Sequence, residues 1–219
     1  MPAAEVQACL RQAFRRWGLP DAFRVDNGVP WGSWGDWPTD LALWILGLGV
    51  EVYWNTPRQP QENGKVERSQ GTGRRWAEPH TCTTLEELQR RLEEMDQIQR
   101  EEYPSIDGHS RLAAFPTLAR SNRPYSQAWE RRSWQLDRVL AHLSCYSVVR
   151  RVDVKGQVSL YNRGRYVGKR HSGQDVYVVF DPVDHQWVAS DSDGRQLRAW
   201  PAEEISRERI LRLQVTHRR

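Results

Sequence analysis

The stretch Phe23-Arg24-Val25-Asp26-Asn27-Gly28 joins strand-forming residues to an Asp-Asn-Gly turn, so a short strand ends with a carboxylate at its tip. Upstream, Val6, Cys9, Leu10, Ala13, Phe14 and Trp17 recur at helical spacing over residues 5–17. Gly18 and Leu19-Pro20 stop that helix. Downstream, residues 29–38 form a loop rich in Trp, Gly and Pro. Thr39 or Asp40 can cap a second helix, Leu41–Leu48, which Gly49 ends. Val50-Glu51-Val52-Tyr53-Trp54 then alternates as a strand does. Helix, strand, helix, strand in this order gives the fold class as α/β.

Further out, Asn55–Gln61 is a loop with two prolines, and Glu62 or Asn63 can start a third helix carrying Lys65, Glu67 and Arg68. Scattered glycines make 70–82 an irregular stretch in this reading. Thr84-Leu85-Glu86-Glu87 is a capping box, and the helix behind it shows Leu85, Leu88, Leu92 and Met95 on one face as far as about Tyr103. A polar connection, with helical character, leads to residue 144. From Ser147 the period changes to two. Strands are expected at 148–154, 157–161, 165–167, 176–181, 187–190 and 196–200, with Gly156, Gly164, Gly173 and Asp193-Gly194 between them. Short strands punctuated by glycine turns indicate a small β-barrel. The expected division is therefore 1–103, a connection at 104–144, a barrel at 145–203 and a basic tail at 204–219.

The chain has 219 residues, 38% hydrophobic and 27% charged, and its eleven Trp argue against a disordered chain. The longest apolar run, near Leu41–Val50, is too short for a transmembrane helix, so no membrane partner is expected. Residues 1–5 lack the features of a signal peptide. Cys9, Cys82 and Cys145 are far apart, which fits a reducing cytoplasm rather than a disulfide framework or a zinc site. The six His show no ligand spacing. Charge is uneven: residues 1–139 hold 18 basic and 19 acidic groups, whereas 140–219 hold 14 and 9. Of the 32 basic residues, 29 are Arg. Its planar fork suits phosphate, although a GC-rich genome gives the same bias. A polyanion partner for the C-terminal part is the expectation.

Asp26 at a strand tip and Glu67 in a helix just after a loop can converge. Carboxylate oxygens suit Mg²⁺, which completes its shell with water and phosphate oxygens. Two such ions can clamp the attacking and leaving oxygens of a phosphoryl transfer. Alone, each residue is ordinary: most Asp-Asn-Gly sequences are turns, and most helical Glu residues face solvent. The combination is more specific. Gly18-Leu19-Pro20, Val25-Asp26-Asn27-Gly28 and Pro60-Gln61-Glu62-Asn63-Gly64-Lys65-Val66-Glu67-Arg68 closely resemble the retroviral-integrase-like catalytic core of bacterial transposases. Tyr103 through Pro116 looks like a degenerate relative of a further segment of that family. The region from Val149-Arg150-Arg151-Val152-Asp153 resembles the SH3-like C-terminal domain of phage-Mu-type and insertion-sequence transposases. The likeness covers about residues 5–200.

The resemblance implies a ribonuclease-H-like core, DNA integration and transposition, and an Asp, Asp, Glu triad holding two Mg²⁺. Asp26 matches the second Asp and Glu67 the Glu, so both are the expected catalytic and metal-binding residues. Lys65 and Arg68 flank Glu67 and could reach DNA phosphates. A solvated helix face is the equal alternative. The family's first Asp lies well upstream of its Asp-Asn-Gly motif, and only 25 residues precede Asp26 here. Glu5 and Asp21, the acidic residues among them, do not fit. The expectation is thus a partial core whose first strands are missing, impaired catalysis, and weak or absent Mg²⁺ binding. Arg150, Arg151, Arg163, Arg165, Lys169 and Arg170 are expected to meet DNA, with the basic tail at Arg207, Arg209, Arg212, Arg218 and Arg219 adding affinity. Partners implied are DNA and a second copy of the chain or a full-length transposase. A non-catalytic DNA-binding remnant that interferes with the full-length enzyme is the second reading, and a peptide-binding module the third. Trp31, Trp34 and Trp37 could stack on bases, with loop packing the expectation.

Overall fold

A computed structural model describes residues 1–32 and 34–216. Helix α1 (Ala3–Trp17) leads into strand β1 (Ala22–Val25). Helix α2 (Asp40–Gly47) crosses over to β2 (Glu51–Trp54), which pairs in parallel with β1 in the register Ala22↔Glu51 to Val25↔Trp54. Helices α3 (Gly64–Ala77), α4 (Leu85–Glu101), α5 (Arg111–Ala114), α6 (Gln127–Ser133) and α7 (Leu136–Leu143) follow. The C-terminal part holds β3 (Ser147–Arg151), β4 (Gln157–Leu160), β5 (Arg163–Tyr166), β6 (Asp175–Asp181), β7 (Gln186–Ser190) and β8 (Gln196–Pro201), then α8 (Arg207–Leu211). Strands β3-β6-β7-β8 make an antiparallel sheet, and β4-β5 a separate hairpin. The architecture is mixed α/β.

Helix α2 is the hub. Every residue from Asp40 to Gly47 is buried, as a helix that is apolar all round after its first residue demands. Thr39 caps it by accepting from the Ala42 N–H at 3.4 Å. Phe14 of α1 stacks on Trp44 at 6.1 Å. Gly47 admits Trp134 so closely that a Cβ there would lie 2.0 Å from the indole, whose Nε1 donates to the Trp44 carbonyl at 2.9 Å. Beneath α1 and α2, buried Glu130 accepts from Arg11 at 2.6 Å, from Trp44 Nε1 at 3.1 Å and from the Tyr125 hydroxyl. Burial pushes the Glu130 carboxyl up, but those donors outweigh it and hold the carboxyl below its usual value.

The expected boundaries at 103, 144 and 203 do not separate independent cores. One cluster of buried side chains runs from Phe14 through Trp44, Trp134 and Leu143 to Trp187, Ile205 and Val215. Trp37, in the loop before α2, lies 4.5 Å from Trp187 of β7. Tyr161 donates to the Pro38 carbonyl at 3.0 Å. Residues 204–216 are folded, not a free tail: Ile205, Ile210 and Val215 are fully buried. The buried carboxylate of Asp40 accepts from the Val215 N–H at 3.1 Å and the Thr216 N–H at 2.9 Å. Arg207 lies over the Trp134 ring, and Arg209 donates to the Gln214 carbonyl.

One element departs from expectation. Residues 70–77, read as irregular, continue α3. Gly71 and Gly73 weaken helix propensity, but α3 lies against α4, where Gly73 faces Met95 and Leu92. Packing of a helix face outweighs about 1 kcal/mol per glycine. The Thr84 cap forms, accepting from the Glu87 N–H at 3.2 Å. Glu87 reaches back to the Thr83 N–H at 3.0 Å, one residue before the cap.

Candidate functional site

Strand β1 ends at Val25, which leaves exposed Asp26 as the first residue beyond the sheet. The parallel register places Asn55 directly after β2 at the same end. The Asn27 amide donates to the Asn55 carbonyl at 2.7 Å, and the Asn55 amide in turn donates to Asn63 Oδ1. Asn63 is the residue before α3, and Glu67 lies one turn into that helix, exposed. This chain of three asparagines fastens the tip of β1, the tip of β2 and the start of the Glu67 helix to one another. A second tie is Glu62, which accepts from the Thr56 N–H at 2.7 Å and pairs with Arg24 at 3.6 Å. Asp26 and Glu67 are therefore carried by elements that meet at one end of the β1–β2 pair.

Two carboxylates at that end suit a hard cation that takes its remaining ligands from water or phosphate. Among the described residues, no group of three or more His, Cys, Asp or Glu side chains converges to hold a metal ion. Arg68 is exposed beside Glu67, while the Lys65 side chain lies outside the described residues.

The six basic residues of the C-terminal part that were expected to meet DNA fall into two groups. Arg165 is mostly buried and donates to fully buried Glu204 at 2.9 Å; Arg163 lies 3.6 Å from Glu203 and 3.9 Å from Glu204. Arg150 pairs with Asp36 and donates to the Ser159 carbonyl at 3.2 Å. These three guanidinium groups are neutralised by partners inside the chain. Arg151, Lys169 and Arg170 are exposed. Arg151 and Arg170 border one surface hollow together with His171, but Asp175, Asp191 and Asp193 border it too. Arg151 is 3.2 Å from Asp175 across the β3–β6 register. Arg218 and Arg219 lie outside the described residues.

The three tryptophans of the loop before α2 differ. Trp31 stacks against Phe23 at 6.4 Å, and Trp37 is buried. Trp34 is 64% exposed, its N–H held by Asn27 Oδ1 at 2.6 Å. It edges a cleft of about 520 Å³ with Tyr53, Trp54, His142 and Tyr146. His142 Nε2 is buried without a hydrogen-bond partner, and burial lowers the pKa of the ring.

Of a second set of residues, sequence reasoning singled out Arg68 but missed Thr72, Arg75, Trp76 and Arg111. Arg68, Thr72, Arg75 and Trp76 form one stripe of α3, and they line a groove of about 830 Å³ with Tyr103 and Arg111. The signal was the i, i+4, i+7, i+8 spacing. The scattered glycines of 70–82 hide it by lowering helix propensity. No protein-family model matches the chain. Among the described residues, no helix is long and apolar enough to cross a membrane.

Proposed function

We propose that this chain acts on DNA as a member of the integrase-like transposases, with Asp26 and Glu67 as carboxylate ligands for Mg²⁺ at a phosphodiester. The observation that carries the reading is the Asn27–Asn55–Asn63 hydrogen-bond chain, which fastens the carboxylate-bearing strand tip to the start of the carboxylate-bearing helix. Parallel β1 and β2 joined by buried α2 fit a partial ribonuclease-H-like core, and the β3–β8 region fits an SH3-like barrel of the transposase C-terminal kind. Bound Mg²⁺ would activate the attacking oxygen and neutralise the charge on the phosphate. The chain's own residues do the rest. Asn27 fixes the loop that follows Asp26 by accepting from the Trp34 N–H. Arg68 offers a phosphate contact next to Glu67. Two carboxylates give weak metal affinity that DNA strengthens by adding its own oxygens, so the chain alone is catalytically impaired.

The same two-ligand geometry favours a second reading, in which the chain binds DNA or a full-length transposase without catalysis and regulates that enzyme. Metal-dependent binding and nicking of a labelled duplex separates the two. Under the first reading, Mn²⁺ or Mg²⁺ tightens DNA binding, and Asp26→Asn or Glu67→Gln abolishes that effect and any nicking. DNA binding that ignores both the metal and the two substitutions leaves the second reading. Absence of DNA binding refutes the first reading and the DNA-binding form of the second.

A further inference from the structure

The groove between α3, α4 and the segment at Ser105–Arg111 holds an unusual set of groups. Arg68, Arg75 and Arg111 line it, and none of the three has an ion-pair or side-chain hydrogen-bond partner among the described residues. Among the described residues, no acidic side chain lines it. By contrast, the arginines at Glu204 and Asp36 are already neutralised. A guanidinium left without an internal partner, repeated around one hollow, creates a positive potential that a polyanion fills. The groove also holds two aromatic rings. Trp76 is 43% exposed and Tyr103 50% exposed, and they meet edge to face with centroids 5.8 Å apart. Such a contact holds both rings in place while leaving part of each open to a ligand.

Cations and exposed aromatic rings in one groove match the requirements of an unpaired nucleic-acid strand: guanidinium groups follow the phosphates and rings receive the bases. A duplex keeps its bases stacked inside and presents no faces to Trp76 or Tyr103. We propose that this groove binds a single-stranded segment of DNA, which enters beside Glu67 at Arg68. The phosphodiesters are held by Arg68, Arg75 and Arg111, and bases stack on Trp76 and Tyr103. The proposal deepens the reading that the chain handles DNA, but needs neither metal nor catalysis.

The experiment measures fluorescence anisotropy of a labelled 20-nucleotide oligothymidylate and of a 20-base-pair duplex, with the full chain in EDTA over a range of salt. The wild-type chain is expected to prefer the single strand. Trp76→Ala should weaken single-strand binding by roughly tenfold and leave duplex binding unchanged, whereas Trp76→Phe, which keeps a ring, should retain most of it. Arg75→Gln and Arg111→Gln should each reduce the single-strand salt slope by about 0.7. Arg132→Gln, at an exposed position of α6, should change nothing. Thermal melting of each variant identifies loss of fold, and a Trp76→Ala chain that does not fold leaves the two arginine variants to decide. Equal loss for single strand and duplex, or no loss on removing the arginines, overturns the groove as a single-strand site. Equal competition by polyglutamate, independent of Trp76, overturns nucleic acid as the occupant. Asp26→Asn and Glu67→Gln test the functional reading separately: they should leave single-strand binding in EDTA intact, so either idea can fail while the other stands.

Discussion

Glu204 decides whether the arginines of β5 are a binding surface or part of the framework. Its carboxylate is fully buried, and it accepts from Arg165 Nη2 at 2.9 Å and from the indole N–H of buried Trp187 at 2.9 Å. Arg163 contributes at 3.9 Å. Glu204→Gln keeps the volume but removes the charge. It leaves a mostly buried guanidinium facing an amide, and one donor goes unmatched. Breaking a buried pair costs about 3–5 kcal/mol when one partner is truncated, and the retained amide oxygen puts this substitution at the low end, about 3 kcal/mol. With a urea slope of about 3 kcal/mol per molar, the unfolding midpoint falls by roughly 1 M. Arg165→Met should cost a similar amount, whereas the Glu204→Leu, Arg165→Met pair, which removes both charges, should recover a large part of the loss. A midpoint unchanged in Glu204→Gln, combined with tighter DNA binding that depends on Arg163 and Arg165, would refute the framework role and return these residues to the nucleic-acid surface.

Three further outcomes follow from particular contacts. Gly47→Ala drives a methyl into the buried Trp134 indole, so urea unfolding should show a loss of about 1–3 kcal/mol. Asp40→Ala strips the acceptor from the Val215 and Thr216 N–H groups; a loss of about 2–3 kcal/mol and faster proteolysis after α8 are expected, and an unchanged cleavage pattern would contradict docking of that segment. Burial lowers the His142 pKa, so the unfolded chain takes up a proton that the folded chain refuses. Stability from this group is fully present above about pH 6.5 and declines as pH falls below it, and the decline should be smaller in His142→Gln in urea titrations from pH 5 to 8.

Much of this fold is local and was legible in the residues. The amphipathic period of α1, the strand ending at Asp26, the all-apolar run of α2, the Thr84 cap and the two-residue period from Ser147 each depend on a few neighbouring side chains. So does the expectation that Asp26 sits at a strand tip and Glu67 shortly after a loop. The Asn27–Asn55–Asn63 chain that ties those positions together spans three separate elements, and nothing in the spacing of the asparagines announces it.

The rest depends on partners distant in the chain. A basic residue looks the same in sequence whether it faces Glu204 inside the fold, as Arg165 does, or a groove without acidic groups, as Arg75 does, because ion pairing is set by residues tens of positions away. Helix α3 persists through Gly71 and Gly73 because one face packs on α4, where Gly73 meets Met95 and Leu92, and that energy is not contained in local propensity. Likewise, Trp34 and Trp37 are three residues apart in one loop, yet Trp37 is buried near Trp187 and Trp34 remains exposed. The order and type of most elements and the placing of two carboxylates follow from neighbouring residues, because backbone hydrogen bonding and apolar period are short-range. The single shared core and the division of arginines between structure and surface required the folded chain, because burial and charge pairing are properties of what surrounds a side chain.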